Sequence, residues 1–242
     1  MDTNELVATV CPPINELGWA HYFHPETMAR AERLGLDGFR FYFIGRGGVL
    51  GDVEPAVVTS AFGYFAPGVV ASMWTSAREI IAPRDAAREY LAAGADLGRA
   101  RLADVEGLAE FCAAAEAVVR GADPAAIALF AGLAAEPLPD DLPARAYQLV
   151  NLLRELRGGL HLVAVVASGL SPRIAHLIRR PDMDASFGWT DQPEVTDQHR
   201  AQLAAADETT DRLCAAAYGV LDETGADALA AGVAAIGAAL AG

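Results

Sequence analysis

Lysine is absent from this chain: all 18 of its basic residues are arginine. With no side-chain amine, Schiff-base catalysis, a pyridoxal phosphate anchor and a P-loop lysine are excluded. Cysteine is scarce as well. Cys11, Cys112 and Cys214 lie about a hundred residues apart without any CxxC spacing, so neither a disulfide framework nor a thiolate metal site is expected, and a reduced, cytoplasmic protein is. No GxSxG elbow is present, which removes the usual serine-hydrolase nucleophile. Positive charge is in deficit, 18 basic against 32 acidic residues for a formal charge of -14. Such a body repels phosphate backbones unless arginines concentrate on one face, so nucleic acid starts as an unfavoured partner. The N-terminus lacks the basic and apolar regions of a signal peptide. The apolar tail 228–242, mostly alanine and glycine, is too short to span a bilayer, so no membrane partner is expected. It reads as a packed helix or the contact of a homodimer.

What is abundant is helix punctuation. A capping residue or proline opens a segment, a run of Ala, Leu, Val and Arg follows, and glycine closes it. Helices are predicted over 25–34, 55–64, 67–79, 83–102, 105–120 with Asp104 as cap, and 124–135 with Asp123 as cap. Beyond them come 143–168, 172–180, 197–221 and 225–241. In "GFRFYFIG", 38–45, Phe39, Phe41 and Phe43 alternate as in a strand, while Phe39, Tyr42, Phe43 and Arg46 form a helical stripe. Helix is preferred because no partner strand exists; a short β-hairpin with 49–53 is the alternative. The fold class is all-α: an N-terminal lobe, 1–136, a proline-rich hinge, 137–143, and a C-terminal lobe, 144–242, carrying a helix-turn-helix-like element.

Several stretches carry candidate chemistry. "GRGGVLG", 45–51, has Leu50 where a dinucleotide fingerprint needs its last glycine, so dinucleotide binding is rejected; Arg46 is either a surface charge or an inward anion clamp. "HYFHPE", 21–26, pairs His21 with His24, but no third ligand follows and no metal is expected there; His24 serves better as a flank or cap of the helix opened by Pro25. From Leu160 to Ala167 every residue except His161 is apolar on all sides of the helix, the pattern of all-round burial. His161 is then an interior, neutral imidazole that needs a hydrogen-bond partner, with Arg157, Tyr147 or a ligand as candidates. Gly169, Ser171 and Pro172 turn this helix into "RIAHLIRR", where Arg173, His176, Arg179 and Arg180 could face a DNA groove. Ile174, Leu177 and Ile178 equally suit an ordinary packed helix.

The stretches "YFHPE", "GFRFYFIGRGGVLGDVEPAVVTSAFGYFAP", "LVNLLRELRGGLHLVAVVASGLSP", "FGWT" and "TTDRL" resemble a family of actinobacterial proteins labelled SalK-like or helix-turn-helix. The resemblance points to Arg46, Phe65 and Pro67, then to Arg157, Gly158, His161, Trp189 and Asp211, and implies an all-helical fold with a helix-turn-helix element. The chain departs from that family between "FGWT" and "TTDRL", where relatives carry a winged-helix-like insert and here only about twenty residues intervene.

The sequence supports first a helical protein that encloses a small, partly apolar organic ligand. Phe39, Tyr42, Phe43, Phe62, Tyr64, Phe65 and Trp189 would supply the walls, Arg46 and Arg157 an anion clamp. If it is an enzyme, His161 is the acid-base residue of an isomerase, cyclase or lyase reaction. No cofactor is identified. The alternative is a ligand-responsive DNA-binding regulator using Arg173, His176, Arg179 and Arg180.

Overall fold

The computed structural model describes residues 1–241 as twelve α-helices, with no strand among them. They are α1 (Thr3–Leu17), α2 (Pro25–Arg33), α3 (Gly38–Gly47), α4 (Pro55–Phe62), α5 (Pro67–Arg78), α6 (Pro83–Leu102), α7 (Leu108–Gly121), α8 (Ala128–Ala134), α9 (Leu142–Ala167), α10 (Pro172–Arg179), α11 (Asp197–Tyr218) and α12 (Glu223–Ala241). Proline occupies the first turn of α2, α4, α5, α6 and α10, where its missing N–H costs nothing and its fixed φ suits the helix. The stretch 38–47 is helical, opened by Asp37, whose Oδ1 accepts the Arg40 N–H at 2.9 Å. No hairpin forms with 49–53: Gly48–Leu50 is a single 3-10 turn.

Three local expectations need correction. Helix α1 is not foreseen from the sequence because Pro12 and Pro13 stand inside it, and interior proline normally breaks a helix. An Asp2/Glu5 capping box and a buried face of Leu6, Val7, Val10, Cys11 and Ile14 hold it nonetheless. Helix α7 begins at Leu108 after a left-handed Gly107, φ 76°, and not behind Asp104. Helix α8 is only seven residues long, since Asp123 caps a turn, accepting the Ala125 N–H at 2.9 Å, before the helix starts.

The longest helix, α9, organises the rest. Its first half packs against α6 and α7, its second half runs along α11, and α12 closes over α7 and α1. The α6–α9 crossing is close because Gly98 faces it: a Cβ there would lie 2.6 Å from the Pro143 carbonyl oxygen and 3.1 Å from Ala144 Cα. The stretch 137–143 links α8 to α9, and buried residues on either side of it belong to one large apolar cluster reaching from α1 to α12. A second, small cluster joins Ala164 and Val165 of α9, Leu170, Ala175 of α10, and Leu203 and Ala206 of α11. Helix α9 is the bridge between the two. Residues 157–163 along that bridge are half-buried, and Val166 is 60% exposed, so the apolar run is not buried all round as the composition suggested.

By length and composition α12 is apolar enough to cross a membrane; here Leu229, Val233 and Ile236 are buried, and Gly232 lies against Phe111 of α7.

Gly98→Ala should lower the urea-unfolding free energy by about 1–3 kcal/mol, because backbone atoms of α9 must move. Gly158→Ala, where an added Cβ meets nothing within 4 Å, should raise it by about 0.5–1 kcal/mol. Equal effects of the two substitutions would contradict this packing.

Candidate functional site

Arg46, on the last turn of α3, points inward. Its Nε and Nη2 each donate at 2.8 Å to the two carboxylate oxygens of Glu155 on α9, a planar two-point contact that lysine could not make. Its Nη1 donates to the Tyr42 hydroxyl at 3.2 Å, and the guanidinium lies 4.5 Å from the centre of the Phe62 ring. Arg154 joins from the other side, donating from Nη1 to Glu155 Oε1 at 2.9 Å and to the Tyr22 hydroxyl at 3.0 Å; Tyr22 in turn donates to Oε1 at 3.1 Å. One buried carboxylate thus serves two arginines and a phenol. Burial alone would push Glu155 up, but Arg46 and Arg154 hold its carboxyl down at about 2.

Beside this cluster is a cavity of about 30 Å³ lined by His21, Tyr22, Gly45, Arg46, Tyr90, Asn151 and Glu155 among others. That is room for a water molecule. Organic ligands need roughly 300–1,000 Å³. His21 is buried, and its Nδ1 lies 3.1 Å from the Tyr147 hydroxyl, which donates to the Leu17 carbonyl; its Nε2 and the Tyr90 hydroxyl have no protein partner among the described residues. Burial, then the charge of Arg154, holds His21 down at about 3.

The aromatic residues read as walls are packed on one another. Phe43 stacks on Phe62 with centroids 5.3 Å apart, Phe65 stacks on Phe187 at 4.0 Å, and Tyr42 touches Phe43, Phe62 and Phe65. Trp189 sits elsewhere: its indole N–H donates to the Tyr64 carbonyl at 3.0 Å and its ring lies 4.4 Å below the Arg173 guanidinium.

His161 lies on the half-buried bridge of α9, its side chain 12% exposed. Its partner is one the sequence did not suggest. Nδ1 is 3.0 Å from Oγ1 of Thr210, one helix away on α11. That hydroxyl already donates to the Ala206 carbonyl at 2.7 Å, so it accepts from His161 and the imidazole carries its proton on Nδ1. Burial, followed by the nearby Arg157 charge, holds His161 down at about 4. Arg157, one turn earlier, makes no hydrogen bond or ion pair among the described residues, and its Nε is buried without a partner.

Helices α9 and α10 meet at an angle of 113°, in the range of helix-turn-helix corners. Gly169 turns the chain at φ 75° and Ser171 caps α10, accepting the Ile174 N–H. The four candidate groove residues are treated unequally by the fold. Arg173 is bound by Asp184 and Asp191 over the Trp189 ring, and His176 packs 3.9 Å from Phe187. Arg179 and Arg180 end the helix half-exposed, paired with Asp207 and Glu16.

Glu155, Arg154, Tyr22, Tyr90 and Thr210 were missed by sequence reasoning, and His21 was considered only as half of a rejected metal pair. The one available signal was Glu155 itself, a lone acid among the arginines of "RELR" in an apolar helix. The pair His21/His24 divides: His21 is a core residue, while His24 caps α2 through Nδ1, which accepts the Glu26 N–H.

Glu155→Gln leaves two guanidinium groups buried together and should cost about 3–5 kcal/mol in urea unfolding. Arg154→Gln, which leaves a one-to-one pair, should cost less. Acid should destabilise the protein from below pH 6.5. There the unfolded chain protonates histidines that the fold keeps neutral until about 4 (His161) and about 3 (His21). Below 4.5 the loss of Glu155, complete near 2, acts in the same direction. His161→Gln should flatten the fall of the unfolding midpoint between pH 6.5 and 4; an unchanged slope would show that His161 titrates normally.

No curated protein and no solved structure matches the chain. A family profile described as "Helix-turn-helix family" matches residues 8–192, which takes in α2 to α10, most of α1 and the segment that ends at Trp189 and Asp191. On the strength of that match over most of its length, the chain belongs to this helix-turn-helix family.

Proposed function

We propose that the protein is a DNA-binding regulator that presents the α9–α10 corner to the duplex. The observation that carries this reading is the construction of the corner. It has a small apolar core of its own, apart from the main one, and it ends in two half-exposed arginines, Arg179 and Arg180, whose ion pairs with Asp207 and Glu16 a DNA phosphate would have to displace. Family membership supports it. Fewer side chains are free to reach DNA than the sequence suggests, since Arg173 and His176 are engaged by residues 184–191. The net charge of -14 works against nonspecific binding, so affinity has to come from a local fit.

The test is fluorescence anisotropy with a duplex from immediately upstream of the protein's own coding sequence, titrated between about 50 and 200 mM salt. Retention that weakens with salt is expected. Arg179→Ala with Arg180→Ala should weaken it and lower the slope of log K against log salt by about 2, roughly 1 for each phosphate that no longer meets an arginine. No retention at the lowest salt, or an unaffected double variant, would overturn the proposal.

A further inference from the structure

On α10, Arg173, His176 and Arg180 follow one another at spacings of three and four residues, so they share one face of the helix. Arg180 ends that face half-exposed. The other two are covered by residues 181–191, a segment whose only regular structure is two 3-10 turns. Both carboxylate oxygens of Asp191 accept from Arg173 Nη1 at 2.9 Å, and Asp184 accepts from Nη2 at 3.2 Å; the Asp191 carbonyl takes a further hydrogen bond from Nη2. The Trp189 ring lies 4.4 Å from the same guanidinium, and the Phe187 ring 3.9 Å from His176. The segment is fastened to the turn between α4 and α5. There the Ala66 N–H donates to the Phe187 carbonyl at 2.8 Å, Phe187 stacks on Phe65 at 4.0 Å, and Trp189 donates to the Tyr64 carbonyl at 3.0 Å.

This contact is incompletely satisfied. Arg173 Nε, His176 Nδ1 and Asp184 Oδ1 are all buried without a hydrogen-bond partner among the described residues. Each gave up water when the segment covered it and received nothing in return, which penalises the docked arrangement. Little apolar surface opposes that penalty, since Asp184 is the one fully buried residue of 181–191. What the segment gives Arg173 is also what a nucleic-acid backbone gives, namely two anionic oxygens for the fork of one guanidinium. Segment and duplex therefore compete for the same side chain. Position matters as well: Arg173 is the second residue of α10, and in a helix-turn-helix the first residues of the second helix are those that meet base edges.

We propose, resting on the DNA-binding reading of the corner, that residues 181–191 are an autoinhibitory strap: Asp184 and Asp191 hold Arg173 where a DNA phosphate would, and the strap lifts before Arg173 and His176 can reach the duplex. Docked, it leaves the duplex the two arginines at the end of α10. Lifted, it adds the first turn of that helix to the contact and returns the three unpartnered atoms to water or to DNA.

Fluorescence anisotropy of the full chain with the upstream duplex, at one fixed salt concentration, tests the strap. Asp184→Asn with Asp191→Asn should bind about tenfold or more tightly than the charge-matched control, Asp182→Asn with Glu194→Gln. The control removes two charges from exposed residues that do not pair with Arg173, and so measures the gain from net charge alone. Arg173→Ala added to the first pair should return the affinity to that of the control. Phe187→Ala takes away the stack on Phe65 and the contact with His176 without changing charge, and should tighten binding several-fold over the parent; it replaces the double variant if circular dichroism shows that one to be unfolded. A parent that binds while neither variant gains, or a gain that survives Arg173→Ala, would overturn the strap and leave the regulator standing. Absence of DNA binding in the parent and in every variant would remove the regulator reading itself, and the strap with it.

Discussion

Two hydrogen bonds of 2.8 Å from Arg46 to Glu155 join residues 109 positions apart, and Tyr22, reaching the same carboxylate, adds a third segment from 133 positions away. Within this buried site α3, the 18–24 turn and the middle of α9 have to meet in one register, because the carboxylate has no other way to recover the hydration it lost. Ion pairs of this kind contribute less to net stability than an apolar replacement could. They do penalise every alternative packing that would leave a charge behind. The small cavity beside the pair, with His21 and Tyr90 on its wall, belongs to the same polar island in an otherwise apolar interior.

Because the first half of α9 is pinned there, its second half is carried out of the main core as a beam. Thr210 holds it through His161, and α11 runs antiparallel beside it, with Gln202 Nε2 donating to the Ser168 carbonyl near the beam's end. The corner with α10 is mounted on that end. Its core of a few alanines, a valine and two leucines buries far less apolar surface than the main cluster, so local opening there is easier than opening of the body. A compact segment, 181–191, lies across α10 and ties down Arg173, which moves the accessible charge of the corner to its last residues. The arginines of 154–180 therefore have separate destinies: Arg154 lies in the interior pair, Arg173 under its aspartates, and Arg157 without a partner among the described residues.

The helices were legible wherever local chemistry dictates them. Proline in the first turn, Ser171 as a cap, and glycine at positive φ in Gly35 and Gly169 act over three or four residues, and a sequence displays such signals directly. They failed at α1, where a buried face outweighs two interior prolines, at α7, which starts behind Gly107 and not Asp104, and at α8, where an Asx turn mimics a helix start. Arg46, Arg157 and His161 stood out as unusual residues in apolar surroundings. Their partners did not, because Thr210 is an ordinary helical threonine until α11 is laid against α9, and Tyr22 an ordinary tyrosine until Arg154 reaches it.

By itself the sequence determined that this is an all-helical chain with a glycine-turned corner at 169, no amine for covalent chemistry and a lone histidine in an apolar run. Only the tertiary structure decided which arginine is neutralised by Glu155, which by aspartates and which by no described residue, and that His161 donates its hydrogen bond to Thr210. The physical reason is range: caps and turns act between neighbours in the chain, whereas a buried charge is matched through space, by whatever residue the packing of distant helices happens to bring within hydrogen-bonding distance.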